Sequence, residues 1–136
     1  MNDFWNVMVP ELTVSNFKES LDFYTNVLGF AVKYQWENPN FAYLEYEKKA
    51  QIMIEAYHDA GWNTDKLVYP LGRGINLQIE VCHAESIRSR LLARGYTLYQ
   101  DLKTSEYVAN DVIHRQKEFL VQDPDGYLLR FCEMAE

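Results

Sequence analysis

The feature that most narrows the folds open to this chain is that its residues describe one arrangement twice. Asn16, with Glu19 three positions on, has the spacing of a helix N-cap, where a short polar side chain accepts from a backbone N–H of the first turn. Phe17, Leu21, Tyr24 and Leu28 recur at four, three and four positions, the stripe of one helix face, and Gly29 supplies the left-handed residue that ends it. Strand-like MVPELTV precedes this helix, and FAVKYQWE, FAYLEYE and AQIMIEAY follow it, with turns at Asn38-Pro39-Asn40 and Lys48-Lys49. The second half repeats the order. A strand begins near Ile75 in GRGINLQIEV, and HAESIRSRLLARGY gives a helix with Ala84, Ile87 and Leu91 inward and Gly95 at its end. TLYQDLKTSEYV, VIHRQKEFLVQ and YLLRFCEM are the strands after it, with Asn110-Asp111 and DPDG at the turns. Gly29 and Gly95 stand 66 positions apart, as do Phe30 and Tyr96. The pattern is a duplicated βαβββ unit, an α+β fold within a single domain: a first module over 5–58, a linker over 59–73 and a second module over 74–136. Trp62, Leu67, Tyr69 and Leu71 make that linker too apolar for an open tether, so it is expected to pack against or cover something.

Charge limits the partners. A net charge of −7 gives no basic stripe for nucleic acid and favours a cationic small molecule instead. Arg88, Arg90 and Arg94 fall on the polar face of the second helix and read as a solvated surface. Aromatic residues are 15% of the chain, enough to line both a core and a pocket for flat ligands. Cys82 and Cys132 lack metal-type spacing and are expected as free thiols. No run approaches the roughly 20 apolar residues of a membrane span, and the N-terminal residues do not read as a signal peptide, so a cytoplasmic protein is expected.

Strand alternation divides the side chains between two faces. Ile75, Leu77, Ile79 and Val81 should lie under the helices, leaving Asn76, Gln78 and Glu80 on the open face. The matching open-face sets are Val9, Glu11 and Thr13 in the first strand and Leu128, Arg130 and Cys132 in the last.

The runs VPELTVSNFKESLDFYTNVLGF and FLVQDPDGYLLRF resemble the opening and closing signatures of the vicinal oxygen chelate superfamily, which includes glyoxalase I, extradiol dioxygenases and bleomycin-resistance proteins. The resemblance implies curved mixed sheets whose open faces form a concave ligand-binding cup, and a homodimer. Its metal-using members hold a divalent ion with four His or Glu ligands, one from each of four strands. Carried onto this sequence, those positions fall on Val9, Asn76, Arg130 and either Ile54 or Glu55. Val9 has no lone pair, the Asn76 amide is a poor donor, and a guanidinium offers only N–H groups. The expectation is therefore no metal and no cofactor. Arg130 would instead pair with Glu11, Glu55 or Glu80, or hold an anionic or carbonyl group of a ligand.

Other constellations carry less. His58, His83 and His114 are scattered and read as surface or capping residues, and no serine has a partnered histidine. Among aromatics away from the helix stripes, Trp36, Phe41 and Trp62 are the first candidates for stacking on a ligand; Tyr43, Tyr57 and Tyr107 follow. The expected function is metal-independent binding or sequestration of a small molecule, cationic or aromatic, of the kind bleomycin-resistance proteins perform. The expected ligand contacts are Arg130, Glu11, Glu55, Asn76, Gln78, Glu80, Trp36, Phe41 and Trp62, with no catalytic residue. The alternative is a metal-dependent lyase, isomerase or dioxygenase of the same superfamily using a shifted ligand set.

Overall fold

In the computed structural model, which describes residues 3–135, Asn16 caps the first helix as its spacing predicts: its Oδ1 accepts the Glu19 N–H at 3.1 Å. Helix α1 spans Phe17–Asp22 and then widens into a π-helical turn over Phe23–Val27, marked by the Leu28 N–H bonding the Phe23 carbonyl at 3.0 Å. The stripe read from the sequence is altered by this turn. Phe23, Tyr24, Val27 and Leu28 are all fully buried, whereas Phe17 and Leu21 are only half-buried. Gly29, at φ 99°, closes the helix, and the Phe30 N–H reaches back to the Tyr24 carbonyl at 2.9 Å.

Two units lie on either side of the Tyr69–Pro70 bond, and each holds one four-stranded mixed sheet. In the first, β1 (Glu11–Val14) pairs parallel with β4 (Ala50–Ala56), followed by β3 (Phe41–Tyr46) and β2 (Ala31–Trp36), both antiparallel. In the second, β5 (Asn76–Glu80) pairs parallel with β8 (Leu128–Ala135), followed by β7 (Val112–Gln122) and β6 (Gln100–Ala109). The strand orders, β1-β4-β3-β2 and β5-β8-β7-β6, are the same, so the α+β fold of two βαβββ modules is realised.

Each unit has its own core between helix and sheet. Leu12, Val14, Leu44 and Ile54 lie with the buried residues of α1 and its π turn; Ile79, Phe119, Val121, Leu129 and Phe131 lie with Ala84, Ile87 and Leu91 of α2 (Ala84–Ala93). Helix α2 starts where the Glu133 carboxylate accepts the Ala84 N–H at 2.8 Å. Its Arg88 is less solvated than expected, because it clamps Asp101 of β6 through Nε and Nη2 at 2.6 and 3.1 Å.

Three boundaries differ from the sequence reading. Strand β1 begins at Glu11 rather than Met8, since Pro10 lacks the N–H a ladder needs, although its carbonyl accepts the Met53 N–H at 2.9 Å. Ile75 precedes β5 and is 63% exposed instead of packed under a helix. The β3–β4 turn is centred on Glu47 and Lys48, at φ 50° and 57°, one residue earlier than read; Asn110 and Asp111, at 52° and 63°, make the matching turn between β6 and β7. Positive φ at both central residues suits the twist of a tight hairpin.

The DPDG turn is fixed from within. Asp123 Oδ1 accepts the N–H groups of Asp125 and Tyr127 at 2.9 and 3.0 Å, and the Leu71 N–H bonds the Asp125 carbonyl at 2.9 Å. Gly126 has φ 96° and no room for a side chain, since a Cβ there would stand 2.5 Å from Pro70 Cβ.

Candidate functional site

A register irregularity in β2 decides what the first sheet presents. Val32 pairs with Leu44 and Tyr34 with Tyr43, so Lys33 is an extra residue and the strand changes face there. The bulge brings Tyr34 and Trp36 onto the face opposite the helix, beside Tyr43 and Phe41. Trp36 lies flat on Phe41, with centroids 4.3 Å apart and planes 9° apart, and Tyr34 stacks on Trp36 at 5.2 Å. Tyr34 also stacks on Tyr43 at 5.2 Å, and Trp5 meets the edge of Tyr43 at 5.1 Å. Lys33 itself turns to Glu45 at 3.4 Å and sits 4.4 Å over the Trp5 ring.

The same face carries two carboxylates. Thr13 and Phe41 both pair with Glu55, and Glu11 pairs with Met53, which places Glu11 and Glu55 on one face of the sheet. Ile54 points the other way and is fully buried, so of the two residues open at that position Glu55 is the one that can act on a ligand. The turn after β4 folds back over this end of the sheet. The Asn63 Oδ1 accepts the Thr13 hydroxyl at 3.2 Å, the Gly61 N–H bonds the His58 carbonyl, and His58 Nε2 lies 3.0 Å from Glu55 Oε1.

Together these elements enclose an open pocket of about 490 Å³, entirely within the first unit. Glu11, Glu55, Trp36, Phe41 and Trp62, all expected from the sequence, line it. Trp36 is 51% exposed and Trp62 93% exposed, so both indoles have faces free for contact, while Phe41 is buried beneath Trp36. Trp62 comes from the segment expected to cover something. Tyr34, Met53 and His58 line the pocket as well and were not singled out as ligand contacts. Two-residue spacing could have found Tyr34 from Trp36 and Met53 from Glu55; nothing local marks His58, whose place depends on the return of the chain. Burial first, and the Glu55 charge second, hold the Glu11 carboxyl above its ordinary value.

The remaining expected contacts belong to the second unit. Arg130 does lie on the face opposite α2, paired in register with Gln78. Its ionic partner is Glu118 of β7, 3.8 Å from Nη1, rather than Glu80, and its Nη2 bonds Gln78 Oε1. Glu118 was missed because only the first and last strands of the module were read for facing, whereas the diagonal neighbour in β7 is nearer. Glu118 is itself held by Gln116 Nε2 at 3.0 Å and by the Ser105 hydroxyl at 3.3 Å. The Nε of Arg130 is buried without a hydrogen-bond partner. Asn76 and Glu80 are exposed on the same strand face as Gln78. Cys132 shares that face by register but is buried, with its thiol on the Ile79 carbonyl, and burial pushes its pKa up. Tyr57 is exposed at the end of β4, and Tyr107 stacks on His114 in the β6–β7 hairpin; neither lines the pocket.

Two sheets of matching order, each behind a short helix, with an aromatic and acidic pocket on one of them, define an α+β protein of duplicated βαβββ type. The chain belongs to the Glyoxalase/Bleomycin resistance protein/Dioxygenase superfamily, whose family model matches residues 7–131. It is 27% identical over 128 residues to the lactoylglutathione lyases of Neisseria meningitidis serogroups A and B, covering 90% of this chain and 86% of each relative. A superfamily member from Vibrio splendidus 12B01 shares 36% identity, covering 92% of this chain and 96% of that one, with a TM-score of 0.43. A glyoxalase/bleomycin resistance protein/dioxygenase from Alicyclobacillus acidocaldarius shares 21% identity and the fold, with a TM-score of 0.66 over 100% of this chain and 96% of that one.

The residues do not fit the divalent ion of the superfamily's metal enzymes. Of the four positions that the family pattern marks, only Glu55 brings a carboxylate, and it already faces His58. Val9 brings a hydrocarbon, Asn76 an amide and Arg130 a fixed positive charge. Among the described residues, no three His, Cys, Asp or Glu side chains converge as a metal-binding set.

Proposed function

We propose that this protein binds a planar aromatic small molecule without a metal ion, in the pocket of its first unit. One observation carries the reading: Trp36, laid flat on Phe41 with much of its indole exposed, lines a 490 Å³ pocket that the exposed indole of Trp62 lines as well. An indole backed by another ring is held in a single orientation, so a flat ligand stacks on it with little further loss of side-chain freedom. The volume is that of a typical small-molecule site, and a binding function asks for shape and ring faces, not reactive groups. The donor chemistry at the four family positions supports the absence of a metal from the reaction of ligand and protein. Resistance to an antibiotic of the bleomycin type is one use to which such sequestration could be put.

Titration calorimetry with two- and three-ring heteroaromatic compounds tests this reading. Saturable binding at about one site per chain is expected, with Trp36→Ala and Trp62→Ala each weakening it. A panel that produces no heat and no change in tryptophan fluorescence would contradict it.

The likeness to lactoylglutathione lyases favours a second reading, a metal-dependent lyase. It predicts lactoylglutathione lyase activity that appears when Zn²⁺, Ni²⁺ or Mn²⁺ is added and disappears with chelator. The pocket reading predicts no activity with any of the three ions.

A further inference from the structure

We infer that the aromatic ligand of the first-unit pocket carries a positive charge, seated against Glu11 and Glu55. The inference rests on the pocket being a binding site and adds the electrical character of what fills it. Glu11 from β1 and Glu55 from β4 both line the pocket, and no lysine or arginine does. The one basic group in the lining is His58, and it is committed to Glu55 at 3.0 Å. Glu11 has no hydrogen-bonded or ion-paired partner among the described residues, and Lys33, the nearest lysine in sequence on this sheet, is taken by Glu45. Glu11 thus stands with a like charge beside it and no ion-paired partner among the described residues; burial first, and the Glu55 charge second, hold its carboxyl above its ordinary value.

The rings add to the same preference. The faces of indole and phenol are electron-rich, and a cation over Trp36 or Tyr34 is attracted by the ring quadrupole; a neutral ring gains only the stack. A delocalised aromatic cation satisfies both sets of groups at once, with its plane on Trp36 and its charge toward the carboxylates. A carboxylate or phosphate ligand would instead add a third negative charge to a pocket whose one basic side chain, His58, already faces Glu55.

Titration calorimetry at neutral pH with N-methylacridinium, neutral acridine and anthracene-2-carboxylate, which are alike in size and shape, separates the possibilities. N-methylacridinium is expected to bind about tenfold more tightly than acridine, a difference of ~1.4 kcal/mol, with the carboxylate weakest. Glu11→Gln and Glu55→Gln keep the side-chain volume, and each should bring the ratio of the first two affinities toward one. Glu47→Gln, on the β3–β4 turn outside the pocket, removes one charge from the protein and should leave the ratio as it was. Circular dichroism melting of each variant shows that it is folded. Equal affinities for N-methylacridinium and acridine would overturn the charge inference while leaving the pocket reading standing. A ratio that falls as much in Glu47→Gln as in Glu11→Gln would assign the preference to net charge and overturn it too. Failure of all three compounds to bind would overturn both.

Discussion

The bulged Lys33 in β2 decides which aromatic residues face the pocket. Without the extra residue, Lys33 and Gln35 would share the open face and Trp36 would be turned to the helix side, so one position of register makes the stacking wall. Trp36→Ala removes the exposed half of that wall. Its affinity for acridine should fall by about tenfold, since a stacked ring is worth roughly a kcal/mol beyond its buried area; calorimetry checks it. Glu11 makes a prediction in pH. Because its carboxyl is raised, it takes up a proton at a higher pH than an ordinary glutamate, and Glu55, His58 and Tyr34 are the other titratable groups facing the pocket. The affinity for N-methylacridinium should therefore decline on acidification from a pH above the usual glutamate range, and Glu11→Gln should remove that first part of the decline. For stability the sign is opposite. A carboxyl whose native pKa is raised contributes most below its unfolded value, and that contribution is lost as pH rises through the native one. Glu11→Gln should thus melt no lower than the parent at neutral pH, which scanning calorimetry of the two proteins checks.

At the scale of elements, much of the architecture was open to reading and some of the site was not. Helix α2 followed its stripe of Ala84, Ile87 and Leu91 because each is backed by strand residues of regular alternation. Helix α1 departed from its stripe because adjacent Phe23 and Tyr24 are both too large and apolar to leave in water, and a π turn lets both go in. The faces of β1 and β5 were legible, since Leu12 and Val14, and Ile79 against Gln78 and Glu80, alternate cleanly. The face of β2 was not, because a bulge shifts parity without leaving a marker in composition. Nor was the Arg130 partner, since Glu118 meets it diagonally from the adjacent strand β7, a contact set by the β7–β8 register. Two predictions belong here. The Arg88 clamp between α2 and β6 holds the Asp101 carboxyl at about 2, through the hydrogen bond to Arg88 first. A lowered pKa stabilises the fold above the unfolded value and is lost as pH falls toward the native one. Carboxyl NMR titration should find that low value, and Arg88→Ala should return it to the ordinary aspartate range. In the DPDG turn, Gly126→Ala forces a Cβ onto Pro70 at a positive φ, so the urea midpoint should drop by the equivalent of more than about 1 kcal/mol.

For the whole molecule, one scaffold serves in its superfamily for both metal enzymes and binding proteins, so function has to be argued from the side chains the strands present. Here the first unit presents stacked rings and two carboxylates, and the second presents a guanidinium held by Glu118 and Gln78. The family's metal positions carry one carboxylate among four. The most direct measurement is titration of aromatic ligand into protein purified without chelator, before and after exhaustive EDTA treatment, with the metal content of both samples determined by mass spectrometry. The account predicts less than a tenth of a divalent ion per chain, by an order-of-magnitude criterion for adventitious metal, and the same affinity in both samples. A stoichiometric ion in the untreated protein, with ligand binding lost on its removal and restored by adding it back, would contradict it.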